Sequence, residues 1–433
     1  VLTGDLVLLI LRTLLGILSA GMLAYWSVGL YRLIRTIRDL PTARDGLKAA
    51  QGTPFEDSVC VVVPAHNEEH SLPIHILSLK AQDYPGLNVV LSLDRCSDGT
   101  YDAAVRAIGN DERFEIVVVD RCPDDWAGKV HAVFQGVQRS TAASNSDYLL
   151  FADADTRFHP SCIRATVALA KERKADLVSL LSTLTYDRWY EWFVQMSACL
   201  ELMYQYPVLR ANREERRRAF ANGQFMLFRR EAYLHIGGHE AVKGELLEDL
   251  ALARLVAENR LRAAVLPADG MLVCTMYESW NEFRHGWKRI YSESARCDAR
   301  RLRKWAARAR ITGTLLPLAA FAGILLGITT GAIPVPAMDL VARTATGISS
   351  VALLVWALVM AGSHRVAHAP LWAFPATVAG SWIVGGLLAA AAADIEAGRP
   401  TLWGDRYYVR RPGVDHGASP YPMSPGASDA GNR

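Results

Sequence analysis

The sequence predicts an α/β domain, a parallel sheet with helices on both faces, flanked at either end by apolar helices. Three observations predict it. Short β-branched runs alternate with helical patterns from Ser58 to about Ala268. Apolar stretches near both ends are long enough to cross a bilayer. Acidic and glycine-containing clusters fall directly after the strand-like runs, at the sheet edge where open α/β folds bind ligands.

The bounds come first. A chain of 433 residues holds two or three domains and easily buries a core. Its formal net charge of +3 gives no ground for a general nucleic-acid partner. The seven cysteines show no C-x-x-C pair and no zinc spacing, which suits small core residues in a reducing compartment.

Four apolar stretches read as spans: Leu6–Leu30, Gly313–Ile333, Thr346–Gly362 and Leu371–Ala393. The first is interrupted by Arg12 and has Asp5 where a signal peptide would carry basic residues, so it reads as an uncleaved anchor. Arg32, Arg35, Arg38 and Arg44 follow it. Arg296, Arg300, Arg301, Arg303, Lys304, Arg308 and Arg310 precede the second span. Both clusters flank the hydrophilic middle, which the positive-inside rule assigns to the cytoplasm. Four spans then place both termini outside, against the arginines of the tail (Arg399, Arg406, Arg410, Arg411). Either a C-terminal segment is re-entrant or the tail departs from the charge bias.

In the middle, 59–65, 87–94, 114–120 and 147–155 are the strand-like runs. Helices are expected over Glu69–Lys80, Tyr101–Ile108 and Lys129–Ser140. After Pro64 comes a turn in which Asn67 and Glu68 either face a nucleotide or cap the next helix. After the second run, Asp94 is placed to accept hydrogen bonds from a nucleobase or ribose, whereas Asp98 reads as a helix cap. The fourth run delivers Asp153 and Asp155 side by side. Two carboxylates there can hold a divalent cation that bridges a diphosphate. Lys129 follows Gly128 at a helix start, and Glu248–Asp249 open an amphipathic helix.

"VVVPAHNEE", "LDRCSDGTYDAA" and "DADTRF", in that order, resemble a glycosyltransferase of family 2. "DDWAGKVHAVFQG" resembles the W-x-G-K segment of its membrane-anchored members, and 220–256 resembles the acceptor-side segment with its Glu-Asp pair. "CTMYESWNEFRHGWKRIY" and "LWGDRYY" are similar to the branch associated with carotenoid and hopanoid lipid glycosylation. The resemblance implies a nucleotide-sugar-binding, Rossmann-like domain of the glycosyltransferase A type. It implies an inverting transfer in which Asp249 is the catalytic base and Glu248 its partner. It further implies that Pro64, Asn67, Glu68, Asp94, Lys129 and Asp153 bind the donor, and that Asp153 and Asp155 hold Mg²⁺ or Mn²⁺. Gln224, Trp287, Lys288 and Arg289 fall on the acceptor side. Processive members carry Gln-x-x-Arg-Trp near the membrane. This chain has Phe283-Arg284-His285-Gly286-Trp287-Lys288-Arg289 instead, which argues for single-sugar transfer over polymer synthesis.

Residues 186–218 combine aromatics and methionines with Arg213 and Arg216–Arg218, the pattern either of an amphipathic segment in the headgroup region or of a core helix followed by a solvated charge run. The expected organisation is an anchor over 1–31, a cytoplasmic catalytic domain over 55–270, and an interfacial segment over 271–310. Transmembrane helices over 311–393 and a tail over 394–433, disordered at its end, complete it. The expected partners are a UDP-linked donor, a lipid hydroxyl and the membrane, with no nucleic acid; a bacterial inner membrane is the expected location. The rivals are a polysaccharide synthase and a non-catalytic scaffold that keeps the fold.

Overall fold

The computed structural model describes residues 2–52, 55–213, 219–333, 335–403, 406–409 and 419–421, with side chains from 4 to 400 within those ranges. Arg216–Arg218, and the tail expected to be disordered apart from Ser419–Tyr421, lie outside the described residues. The chain divides into two units. An α/β unit takes 41–185, 205–299 and the tail from 391, and a helical unit takes 1–40, 186–204 and 300–390.

The α/β unit is built on strands β1 (Val59–Ala65), β2 (Leu87–Asp94), β3 (Phe114–Val119), β4 (Tyr148–Ala152), β5 (Thr156–Phe158), β6 (Leu177–Leu181), β7 (Thr183–Leu184), β8 (Phe225–Arg229), β9 (Ala263–Pro267) and β10 (Leu272–Cys274). The first four coincide with the runs read from sequence. The main sheet has the order β3-β2-β1-β4-β8-β6-β9. All its pairings are parallel except those of β8, which runs antiparallel to both β4 and β6. The four strands read from sequence are parallel to one another as expected, and β8, which the sequence reading did not include, makes the sheet a mixed one. Strand direction leaves no mark in an apolar run, so the reversal was invisible in the sequence.

The alternation of side chains along a strand shows why both faces are covered. Val59, Val61 and Val63 pack into one cluster with Leu72, Ile76 and Leu79, from the helix Leu72–Lys80. Cys60 and Val62 pack into another with Val130, Val133 and Val137, from the helix Gly128–Arg139. Each buried aliphatic side chain contributes about 1.5–3 kcal/mol, so β1 alone makes the sheet centre hard to unpick. A small sheet, β5-β10-β7, joins the edge of this framework, pairing Thr156 with Cys274. It fixes the chain immediately after Asp155.

Among the described residues, four helices are long and apolar enough to cross a membrane: Gly4–Ala49, Ala299–Thr330, Pro336–Val366 and Leu371–Glu396. Leu14, Ile17, Phe321, Leu325, Leu354 and Leu358 are exposed on them, a surface suited to lipid. Where helices meet, small residues let backbones approach. A Cβ on Gly16 would sit 2.6 Å from Ala345 Cβ, and one on Gly323 2.7 Å from Ser349 Oγ. Ser19 and Ser349 share a hydrogen bond of 2.9 Å. Arg12 is buried, and donates to the Gly331 carbonyl at 3.1 Å and to Thr346 Oγ1 at 3.2 Å. The expected interfacial stretch falls partly in the helical unit: Tyr186–Tyr204 belongs to it, with Tyr190, Val194, Met196 and Ala198 buried and Trp189 half-exposed.

Candidate active site

The C-terminal ends of β1, β2 and β4 share an edge because those strands are parallel. The reversal of β8 brings its beginning, not its end, to that same edge, since Phe225 pairs with Ala152. Residues just before β8 therefore meet residues just after β4.

The turns after β1 and β2 are stitched together. Asn67, in a left-handed conformation at φ 57°, accepts the Ser97 N–H at 2.8 Å. The Glu68 N–H donates to Thr100 Oγ1 at 2.7 Å, and the Gly99 N–H to Glu69 Oε2 at 3.0 Å. Asp98 accepts from the Thr100 N–H at 3.0 Å, the capping role read for it from sequence. Pro64 stands opposite Ser92, one residue before the end of β1. Asn67 thus ties the loops together, and Glu68 Oε2 accepts from Ser71. Burial raises the Glu68 carboxyl, with Asp153, Glu278 and Asp98 adding to the effect against the Ser71 hydrogen bond.

Asp94 is buried, and its two oxygens accept a fork from Arg95, Nε at 2.9 Å and Nη2 at 2.6 Å. This bidentate pair lies over Gly128, where a Cβ would come within 2.9 Å of Arg95 Nη2. A side chain at 128 would have to displace the end of the Arg95 guanidinium. Arg95 was not singled out by sequence reasoning, although its place directly after Asp94 was the available signal.

The centre is a chain of charges. Lys129 Nζ bridges Asp153 Oδ1 at 2.7 Å and Glu248 Oε1 at 2.6 Å. Beside it Asp249 accepts the Gly223 N–H on Oδ2 at 2.9 Å and the Leu250 N–H on Oδ1 at 2.7 Å. A Cβ on Gly223 would lie within 3.4 Å of Lys129 Nζ, Asp249 Oδ2 and Glu248 Oε1 together. Burial alone would discharge Lys129, but Asp153 and Glu248 raise its pKa and keep it an ammonium. Burial also opposes ionisation of Glu248, yet Lys129 holds that carboxyl below its ordinary range. Asp249 gains less from Lys129. Burial, then the Glu248 charge, push it up to about 7. The same burial raises Asp153, against the opposing pull of Lys129.

Beneath this lies His239, which no sequence pattern flagged. Its backbone N–H donates to Tyr233 Oη at 3.1 Å, and that hydroxyl shares a second hydrogen bond with Nδ1 at 2.9 Å. Burial pushes the imidazole down to about 4, so it packs as a neutral ring. Gly237 and Gly238, both at positive φ, make the turn; a Cβ on Gly238 would meet the Tyr233 ring at 2.6 Å.

Asp155 differs from its neighbour. Its Oδ1 is buried and has no hydrogen-bond partner among the described residues. Burial, then the Asp153 and Glu68 charges, push it up to about 8. The Cys274 thiol lies against it and is raised well above its usual range by burial and by that carboxyl. A carboxylate buried among like charges with a free oxygen is suited to a cation. Among the described residues no group of three His, Cys, Asp or Glu side chains could enclose a metal ion. Asp153 and Asp155 nevertheless fit Mg²⁺ or Mn²⁺, since such ions bind through one or two carboxylates plus substrate phosphates and water.

Of the residues expected on the acceptor or membrane side, Gln224 is buried and accepts from Asn222 Nδ2 at 3.2 Å. Trp287 is buried in an aromatic row with Phe283 and Tyr291 on the helix Trp280–Ser294. Lys288 is paired with Asp394. Arg289 is near enough to Asp153 to help hold its carboxyl down. The structure brings Asp94, Lys129, Asp153, Asp155, Glu248 and Asp249 to one sheet edge. It adds Arg95, Gly223, His239 and Cys274.

Residues 56–310, more than half of the chain, match the model of the family described as "Glycosyltransferase like family 2". A 4,4'-diaponeurosporenoate glycosyltransferase of Staphylococcus aureus (strain bovine RF122 / ET3-1) is 27% identical over 258 residues, 58% of this chain. The chain spans only 65% of that relative's length. Among solved structures, a mannosyltransferase of Pyrobaculum calidifontis in complex with GDP-Man and Mn2+ aligns at 18% identity. That alignment covers 88% of this chain and 99% of the other, at a TM-score of 0.43. Glucosyl-3-phosphoglycerate synthase of Mycobacterium tuberculosis aligns at 19% identity over 59% of this chain and 84% of its own, at a TM-score of 0.36. Likenesses this loose transfer no residue role. With a mixed α/β sheet, an acidic cluster at its ligand-binding edge and a family match across the whole of that sheet, this chain belongs to glycosyltransferase family 2.

Proposed function

We propose that the chain is an integral membrane enzyme that moves one sugar, with inversion, from a UDP-linked donor to the hydroxyl of a membrane lipid. The observation that carries this reading is the Lys129 bridge between Asp153 and Glu248, with Asp249 held beside it by the Gly223 N–H. One side of the bridge suits a leaving diphosphate and the other an incoming nucleophile.

An inverting transfer is a single in-line displacement, so the acceptor hydroxyl must lose its proton as the new bond forms. Asp249 takes that proton. Its position near 7 makes it basic enough to receive the proton and ionised enough at neutral pH to act. The Gly223 and Leu250 N–H groups fix both of its oxygens. Glu248 stays ionised and anchors Lys129, whose ammonium offsets negative charge as the donor's glycosidic bond breaks. Mg²⁺ or Mn²⁺ held by Asp153 and Asp155 would supply the remaining positive charge for the diphosphate. The Asp94–Arg95 fork serves the nucleoside end. The arginine clusters that flank the hydrophilic middle support a cytoplasmic catalytic unit in a bacterial inner membrane.

The relative's name gives it a carboxylate as acceptor. A carboxylate is already deprotonated at neutral pH, so a chain that shared that acceptor would depend far less on Asp249. The test uses membranes containing the chain, a panel of radiolabelled nucleotide sugars, and Mn²⁺ or Mg²⁺. Label in the organic-extractable fraction that disappears with Asp249→Asn supports the hydroxyl reading. Lipid label that survives the substitution indicates a carboxylate acceptor. Label confined to polymer indicates a processive synthase, and donor binding without any transfer in native lipid extracts indicates a scaffold.

A further inference from the structure

Arg310 closes the helix Ala299–Arg310, where the chain passes through the π-helical turn Ile311–Leu315 into the apolar helix Leu316–Thr330. Its guanidinium lies over the Trp382 ring, 4.9 Å from the centroid. The helix Thr377–Glu396 presents two glycines to it. A Cβ on Gly385 would stand 2.6 Å from Arg310 Cγ and 2.9 Å from its Nε, and one on Gly386 would stand 3.7 Å from Nη2. Trp382, Gly385 and Gly386 thus form a slot shaped to a flat guanidinium.

What the slot lacks is an acid. Arg310 Nε is buried without a hydrogen-bond partner, and among the described residues no carboxylate pairs with the side chain. Arg12 and Arg308 also carry an unpartnered Nε, but each is met elsewhere on its guanidinium. Arg308 donates to Glu201 and stacks 3.4 Å over Tyr204, and Arg12 donates to a carbonyl and a hydroxyl. Arginine cannot shed its charge, so Arg310 stays cationic beside apolar helices. The face of one indole offsets only part of that cost. The planar fork that remains matches carboxylate or phosphate oxygens.

We propose that Arg310, seated between Trp382 and the Gly385–Gly386 pair, binds the anionic oxygens, phosphate or carboxylate, of a membrane lipid. The site is independent of sugar transfer and is read without a donor. The full-length chain, stripped of lipid in detergent, is incubated with phosphatidylglycerol or phosphatidylcholine, and retained lipid is counted by native mass spectrometry. The wild type is expected to retain phosphatidylglycerol in preference. Arg310→Gln should lower that retention about tenfold or more, the worth of one charge-assisted contact. Arg310→Lys should give an intermediate value, because it keeps the charge and loses the fork. Gly385→Ala should also lower retention, because it fills the slot and spares the charge. Displacement of phosphatidylglycerol by oleate assigns the site to carboxylates, and failure of oleate to displace it assigns the site to phosphates. Equal retention by wild type, Arg310→Gln and Gly385→Ala, or no preference over phosphatidylcholine, overturns the proposal. Should Arg310→Gln fail to fold, the Lys and Ala variants decide alone.

Discussion

The α/β unit and the helical unit each hold a charged side chain that no ion pair meets among the described residues, Asp155 in the first and Arg310 in the second. At the sheet edge, Asp153, Asp155, Glu248 and Asp249 crowd round Lys129, and Asp155 keeps an oxygen with no partner. In the helical unit Arg12 is met by neutral acceptors and Arg308 by the buried Glu201, whereas among the described residues no acid meets Arg310. Folding alone selects against uncompensated buried charge. Where it persists, a ligand of the other sign is the natural complement, and the comparison marks an acidic site suited to a cation and a basic one suited to an anion.

The acidic site is expected to be most sensitive at Asp249. Asp249→Asn should lower transfer by about 10²–10⁴-fold and leave donor binding nearly intact, as expected for loss of a general base. Radiolabel transfer and donor binding measured on the same membranes check it; unchanged transfer onto a hydroxyl acceptor would remove Asp249 from that role. Next in size, Asp153→Ala should weaken metal-dependent donor binding by about tenfold or more, the effect of losing one charged ligand. Equilibrium binding of UDP with and without Mn²⁺ reads this. Wild-type binding indifferent to chelation would end the bridging role.

Titration sharpens the same contrast. With Asp249 at about 7, transfer should rise roughly tenfold per pH unit below that point and level off above it. Stability should move the other way. Carboxyls raised above their ordinary values leave the fold most stable below about pH 4. In chelator, that stability is lost as pH climbs through about 7 and about 8, where Asp249 and Asp155 ionise. Thermal melting across that range, flat in chelator, would show that the buried acids are compensated after all. The smallest effect concerns support. Gly238→Ala adds a Cβ at φ 55° against the Tyr233 ring, and should cost about 1–3 kcal/mol in a denaturant melt of the full chain.

Much of this was legible from local pattern. The first four strands and the helices after them were readable because β-branched runs end at Pro, Gly and Asp. Asp94, Asp153, Asp155 and Asp249 were readable because each stands directly after a strand or opens a helix. The rest depends on distance through space. Strands β5, β7 and β10 span only two or three residues each, too few for a period to show. Gly223 is a glycine among 32 until the reversal of β8 sets its N–H against Asp249. Cys274 became a neighbour of Asp155 only through the β5–β10 pairing. Arg310 looked like one more member of a basic cluster, and only its partners' absence set it apart.

The reversed strand also bears on the order in which the chain becomes complete. The strands from β1 to β4 are joined by short crossovers, and the Asp94–Arg95 fork needs nothing beyond them. Between β4 and β8 the chain leaves for the helical unit, over Tyr186–Tyr204, and returns before Gly223 can reach Asp249. Closing a loop of that length is entropically slower than closing a βαβ unit. The part of the edge built by β1 to β4 is thus a matter of local folding, whereas the pairing of Gly223 with Asp249 waits on a segment of the unit that carries the membrane-length helices.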